Sequence, residues 1–379
     1  NTLLLGSGVT ISGVAPKASL IAYKGCPGDT CEGAALIRSI DQATADAVDV
    51  INYSIGSGPF DPWATVGNAG ADDSESFLAA REAGIVVAAS AGNDGPDPGT
   101  HGNPANSPWV MGVAAATHDR SGAGDRLASF SGRGPVVPLG VNKPDITGPG
   151  VSIRAAGKSI DGAEAALSGT SVSSPHGAGA AALLRSIHPS HTPDEVISAL
   201  MLTARPSITE FALPTTPHDQ GSGMVDVALA ARAGIYLDVP AGGFNTPRAN
   251  PYTGGAQNIN LPSIAHGACF RSCVITRTFK LMPGASAANY TITSHDVGKV
   301  LVNLCETLVA QHMGLPSQVC VHSEVCGKGA ALEHDGDVYS CDHYVYPEYK
   351  LGNVLTDELG AMVDRSVAGG FGPHKESTL

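Results

Sequence analysis

Ser171 sits in the segment LSGTSVSSPHGAGAAALL at residues 167–184, after Gly-Thr and before a run of small residues. A serine so flanked belongs where a loop turns sharply into the first turn of a helix. The first N–H groups of a helix have no partner within it, and its dipole is positive at that end. An oxyanion formed by attack on a carbonyl beside Ser171 would be stabilised there, so the chemistry in view is acyl transfer by a serine nucleophile. Pro175 fits the first turns of that helix, and Gly177, Ala178 and Gly179 permit close packing against a sheet.

The eight cysteines form a second group with chemistry. Cys26 and Cys31 are separated by PGDT, and Cys269 and Cys273 by FRS. Both are short pairs in polar, turn-prone segments and read as local disulfides of an oxidising compartment. Cys305, Cys320, Cys326 and Cys341 cluster toward the C-terminus, three of them beside glycine and histidine. Thiolates so spaced suit an iron–sulfur cluster or zinc. The bland alternative is a set of solvent-accessible thiols that bind nothing stably.

The elements that must hold Ser171 follow from the alternation of apolar patterns. From Gly13 to about Arg232 strand-like runs alternate with helix-like ones, which predicts an α/β fold, a parallel sheet with helices on both faces. ASLIAYK at residues 18–24 reads as a buried strand, followed by a helix over 32–47 with Leu36, Ile37, Ile40, Ala43 and Ala47 on one face. VDVINYSIG is the next strand, 74–83 a helix, and GIVVAASAGN and WVMGVAA two more strands. A long helix starts near Ser171 and ends at Pro189, and Thr192 with Glu195 forms a capping box for another. Near Leu237 the pattern changes to turn-rich sequence with short alternating strands, which predicts a partial β-sandwich over 233–295. Residues 296–379 read as a small Cys-rich α+β tail, leaving 1–232 as the main domain.

Composition narrows the partners. Hydrophobic residues at 42% fill a core, and Gly and Pro, roughly a fifth of the chain, suit long shaped loops. A net charge of −13 disfavours nucleic acid, whose phosphates need clustered Lys and Arg. No run of about 18 apolar residues is present, so no membrane span is expected. The opening NTLLLGSGVTISG lacks the basic start of a signal peptide.

SGTSVSSPHGAG resembles the serine motif of the subtilases, the subtilisin-like serine peptidases, and further stretches match in that family's order. GVAPKASLIAYK (13–24) resembles the strand after the catalytic histidine helix, INYSIGSG (51–58) the substrate-lining strand, and VVAASAGNDG (86–95) the oxyanion Asn motif. LASFSGRGP and KPDITGPG match as well. The resemblance implies a serine endopeptidase that acts on polypeptides without a cofactor. Ser171 would be its nucleophile and Asn93 would donate its side-chain N–H to the oxyanion. Ser54, Ile55 and Gly56 would pair with an extended peptide substrate, Gly56 keeping the approach open. His176, five residues after Ser171 on the same helix, is structural in that family. His101 and Asp94 read as loop residues, and Trp63 and Trp109 as packing.

Subtilases place Asp, then His, then Ser along the chain. Residues 1–12 contain neither Asp nor His, so the chain is expected to begin after the catalytic histidine helix and to be inactive as it stands. In a subtilisin, loss of that histidine costs about 10⁶ in kcat. Loss of the first strands would also expose apolar surface or an unpaired sheet edge. Residues from about 237 to Ser294 resemble a fibronectin-III-like domain, with Cys269 and Cys273 stapling its early strands. From about Asp296 the chain resembles the cluster-binding C-terminal domain of anaerobic sulfatase-maturating enzymes, a radical-SAM family. Cys320, Cys326 and Cys341 would then match three ligands of an auxiliary [4Fe–4S] cluster and Asp342 an active-site acid, the fourth cysteine being absent. No fourth cysteine is expected to complete the site, although Cys305 or a histidine such as His343 could approach it. A secreted peptidase and a cytoplasmic cluster protein serve different compartments, which points to a join near 294–296.

Overall fold

A computed structural model of the chain describes residues 10–26, 30–62, 71–118, 124–136, 141–157, 163–206 and 208–237 except 211–212, together with 2–4, 8, 262–264, 277–285, 331–332, 337–339 and 350–353. It begins with an antiparallel pair, β1 (Thr2–Leu4) and β2 (Thr10–Ser12). Then come α1 (Gly33–Ala45), β3 (Val50–Tyr53), α2 (Ala71–Glu82), β4 (Val86–Ser90) and β5 (Met111–Ala116). After β6 (Ile146–Pro149) a hairpin of β7 (Ile153–Ala156) and β8 (Glu164–Leu167) leads into α3 (Thr170–Ile187). α4 (Pro193–Leu202), β9 (Thr209–Glu210), β10 (Leu213–Pro214), α5 (Pro217–Gln220) and α6 (Val227–Ala230) complete this part.

The central sheet runs β3-β4-β5-β6, every neighbour parallel. β4 is buried along its whole length, as a parallel strand covered on both faces must be. Its alternate residues divide the core. Val87 and Ala89 pack with Leu36 and Ile40 of α1, Phe77 of α2 and Trp109. Val86 and Ala88 pack on the other face with Met111, Val113, and Ala181 and Leu184 of α3. The expected α/β sheet with helices on both faces is therefore present. Thr192 caps α4 as expected: its hydroxyl accepts from Glu195 N at 3.3 Å while Glu195 Oε2 accepts from Thr192 N at 2.7 Å. Arg81 of α2 forms an ion pair with Asp194 at the start of α4.

A charged pair lies inside this core. Lys143 Nζ donates to Val110 O at 2.6 Å and to Asp145 Oδ2 at 2.5 Å, and that carboxylate also accepts from Gly112 N at 2.7 Å. The pair joins the approach to β5 with the approach to β6. His101, expected as an ordinary loop residue, lies in a loop but is fully buried. Trp109 packs as expected, with Nε1 donating to Ser74 O at 2.8 Å. Trp63 lies outside the described residues.

Residues 18–24 correct an expectation. They form no strand, and Leu20 and Ile21 are 82% and 59% exposed. Among the described residues no strand pairs with the outer edge of β3, so this segment has no neighbour to supply its ladder hydrogen bonds. A single strand cannot bury its own apolar face.

Beyond α6, β11 (Ile235–Tyr236) pairs antiparallel with β12 (Lys280–Leu281), and Met282 is buried in the cluster that holds Leu200 and Ala230. The remainder of the expected β-sandwich, with Cys269 and Cys273, lies outside the described residues. The chain divides into two compact units, Asn1–Ser286 with His295–Lys299, and Ala287–Ser294 with Val300–Leu379. Within the second, β13 (Ala331–Leu332), β14 (Asp337–Tyr339) and β15 (Lys350–Asn353) form an antiparallel sheet.

Candidate active site

The first turn of α3 is held by its own hydroxyls. Thr170 Oγ1 donates to Asn93 Oδ1 at 2.9 Å or to Gly92 O at 3.2 Å, Ser173 Oγ donates to Ala114 O, and Ser174 Oγ donates to Asn52 Oδ1 at 2.8 Å. The TSVSS run thus ties one helix end to β3, to the loop after β4 and to β5. Gly169 precedes it at φ 157° and ψ 158°, a region essentially reserved for glycine. Ser171 is the second helical residue, where its N–H is one of those the helix leaves unpaired.

Pro175 lies inside α3 rather than in its opening turn. Having no N–H, it cannot donate to the carbonyl of Ser171 four residues earlier. Ser54 fills that position: its Oγ donates to Ser171 O at 2.8 Å. In return Ser171 Oγ donates to Ser54 O at 3.3 Å. The candidate nucleophile is therefore aimed at the end of β3 and held there from both sides. Sequence alone did not indicate this role for the Ser54 hydroxyl; the proline within a helical pattern was the signal for a freed carbonyl.

Asn93 follows β4 and reaches the same helix end. Its Oδ1 accepts from Thr170 N at 2.9 Å as well as from the Thr170 hydroxyl. Asn93 Nδ2 makes no hydrogen bond among the described residues. A methyl placed on Gly169 would stand 3.7 Å from both Asn93 Nδ2 and Ser171 N and 3.8 Å from Asn93 Oδ1, so the Asn93 amide and the Ser171 N–H border one small space. Ile55 packs against the cluster on the α1 face. At Gly56 a Cβ would meet Asn103 O at 3.1 Å, because Ser57 and Asn103 bridge there. Gly177 meets the sheet as expected, 3.0 Å from Val113 to a built Cβ, whereas Gly179 faces Val14 at 2.7 Å.

No histidine or carboxylate among the described residues is hydrogen-bonded to Ser171 Oγ. His176 turns its Nδ1 onto Val172 O at 2.9 Å within α3, and burial pushes its pKa down. Asp94 is exposed in the loop after Asn93. Among the described residues no three His, Cys, Asp or Glu side chains gather in a way that could hold a metal ion. Cys320, Cys326 and Cys341 lie outside those residues, as do Cys305, Asp342 and His343. Cys26 and Cys31 form a disulfide. No helix among the described residues is long and apolar enough to cross a membrane.

The chain is 34% identical to subtilisin E of Bacillus subtilis over 233 residues, covering 60% of this chain and 53% of that protein. It is 35% identical over 205 residues to the subtilisin-like protease SBT3.13 of Arabidopsis thaliana, covering 45% of this chain and 27% of that one. A short region of 84 residues is 40% identical to a serine-type anaerobic sulfatase-maturating enzyme of Bacteroides thetaiotaomicron, 22% of this chain and 20% of that enzyme. The chain thus spans about half the length of subtilisin E and less of the other two. The model of the subtilase family, Peptidase_S8, matches residues 3–224, more than half of the chain. On that match, and on the elements that bring Ser171 and Asn93 to one helix end, the chain belongs to the subtilase family.

Proposed function

We propose that the site works as the serine half of a secreted endopeptidase acting on polypeptides. The observation that carries this is the pairing at the start of α3: the Ser171 hydroxyl leaves the helix beside its own N–H and the Asn93 amide. In this reading Ser171 Oγ bonds to the scissile carbonyl carbon. The developing oxyanion takes hydrogen bonds from Ser171 N–H and Asn93 Nδ2, and the residues 54–56 accept an extended substrate. Attack releases the hydroxyl proton, which needs a base within hydrogen-bond reach. Ser54 O accepts that hydrogen bond but cannot take the proton. The 379-residue chain is therefore proposed to turn over no peptide on its own.

The test is reaction with a phosphonate serine probe alongside a peptide-hydrolysis assay. Slow labelling of Ser171 is expected, lost in Ser171→Ala and reduced about a hundredfold in Asn93→Ala, since one oxyanion donor is worth roughly 10²–10³. No labelling above that of a denatured control would leave a peptide-binding relic as the better account. Peptide turnover abolished by Ser171→Ala would show that another residue serves as base.

The 84-residue match to a sulfatase-maturating enzyme favours a second reading for the tail, in which Cys320, Cys326 and Cys341 are ligands of a [4Fe–4S] cluster. Iron and acid-labile sulfide analysis after anaerobic reconstitution tests it, with Cys326→Ala as the control. Stoichiometric iron that the variant loses supports the reading, and absence of bound iron excludes it.

A further inference from the structure

Tyr53 turns its side chain to the α1 and α2 face of the sheet, where its ring meets Phe77 edge-on at 4.9 Å and its hydroxyl donates to Asp73 Oδ2 at 2.9 Å. Side chains alternate along a strand, so Asn52 and Ser54 share the opposite face. There they meet α3, on which Ser171 and Ser174, three residues apart, lie on one side. A chain of hydrogen bonds joins the two elements, running from Ser174 Oγ through the Asn52 amide and Ser54 Oγ to the Ser171 carbonyl.

The direction of every bond in that chain follows from its last member. A carbonyl only accepts, so Ser54 Oγ commits its single proton to Ser171 O at 2.8 Å. Ser54 Oγ can then only accept from Asn52, which places Nδ2 on that side, at 3.2 Å. Oδ1 is left to Ser174, whose hydroxyl donates to it at 2.8 Å. A reversed Asn52 amide would set an oxygen against Ser54 Oγ and draw the Ser54 proton away from Ser171 O. Ser174 therefore holds the amide the right way round, and the amide does the same for the Ser54 hydroxyl. The Ser171 carbonyl depends on that hydroxyl, because Pro175 has no N–H to give it.

We propose that Asn52 is a positioning residue of the Ser171 site. Through Ser54 it holds the Ser171 carbonyl, and with it the backbone from which the nucleophile projects. The proposal rests on the reading of Ser171 as the nucleophile, for which small displacements are costly. Asn52 itself has no part in bond making.

The test compares phosphonate labelling of Ser171 in the full chain with that in Asn52→Asp and Asn52→Ala, each made also in a Ser54→Ala background. Aspartate keeps the shape and the acceptor of asparagine but cannot donate, so it should draw the Ser54 proton from Ser171 O. Labelling is expected to fall about tenfold in Asn52→Asp and about threefold or less in Asn52→Ala, since one hydrogen bond is worth up to about tenfold. A residue that only fills space would give the reverse order, aspartate being its nearest isostere, and that order would overturn the proposal. With Ser54→Ala already present, Asn52→Asp should cost less than about twofold. A loss that persists there would mean that the new charge acts on the oxyanion through space, and would overturn the proposal too.

A second readout needs no reaction. With 13C at the serine carbonyls and 15N in valine, the Ser171–Val172 pair reports on the Ser171 carbonyl, and its loss in Ser171→Ala identifies it. That resonance should move upfield in Asn52→Asp, as in Ser54→Ala. Ser174→Ala, which frees the amide without adding a charge, should move it the same way by less, and serves if Asn52→Asp does not fold. A resonance unmoved by the Asn52 and Ser174 variants would overturn the proposal whatever the labelling shows. A resonance that moves in a chain the probe never labels would sink the nucleophile reading alone and support the hold of Asn52 on the carbonyl.

Discussion

At the scale of residues, the most consequential groups that sequence did not single out are buried and charged. Lys143 and Asp145 are removed from water, and burial pushes the lysine pKa down and the aspartate pKa up, each opposed by the charge of the other. Removing one partner strands the other, so Lys143→Met is expected to lower stability by about 3–5 kcal/mol in denaturant unfolding. The Lys143→Met, Asp145→Leu double variant should recover part of that loss. His101 stands beside the pair with neither ring nitrogen hydrogen-bonded among the described residues. Burial, with the nearby Lys143 charge, pushes its pKa from 6.5 to about 3. An unfolded chain therefore binds more protons than the folded one between those values. Stability from this group is complete above pH 6.5 and lost as pH falls toward 3, by up to about 1.4 kcal/mol per pH unit. His101→Phe should flatten that part of the stability profile; an unchanged profile would mean that His101 is not held neutral. Ser171 and Asn93 were legible because their motifs are local. The ion pair was not, because the KPDITGPG match assigns its charges no partner until the sheet closes around them.

At the scale of elements, the helices and the inner strands could be read from the sequence because each carries its own period. β4 and β5 are continuous apolar runs, and α4 opens on a capping box that the structure reproduces. Residues 18–24 show where such reading stops. An apolar run signals a strand only if a neighbour supplies the ladder, and neighbours are not encoded in the run itself. The same limit hid the role of Pro175. Its position in α3 leaves the Ser171 carbonyl to the Ser54 hydroxyl, so a helix defect is used to dock the helix on β3. Pro175→Ala restores an N–H that can compete for that carbonyl. Helix propensity then favours the variant, by roughly 1 kcal/mol or more in stability. Ser54→Ala should cost about 1 kcal/mol in the parent chain and close to nothing in the Pro175→Ala background. A double-mutant cycle by thermal melting checks this; additive costs would show that the Ser54 hydroxyl does not depend on the missing N–H.

At the scale of the molecule, the buried clusters of the described residues all lie between Leu36 and Met282. The division into compact units falls at 286–300, and the sequence changes character in the same interval, around 294–296. The core these clusters form in the first unit is expected to survive removal of the residues after 300, because local opening is confined to segments with few buried contacts. Limited proteolysis of the full chain is therefore expected to cut first within 286–300 and to release a stable product that contains Ser171 and Asn93. That product should unfold in a single transition at the temperature of the same transition in the intact chain, within about 2 °C, since a shift of that size corresponds to less than roughly 1 kcal/mol in a unit this large. Mass spectrometry of the first fragments and calorimetry of the purified product decide the matter. First cuts inside β4 or β5, or a product that melts well below the intact chain, would show that residues 300–379 contribute to the core that holds Ser171.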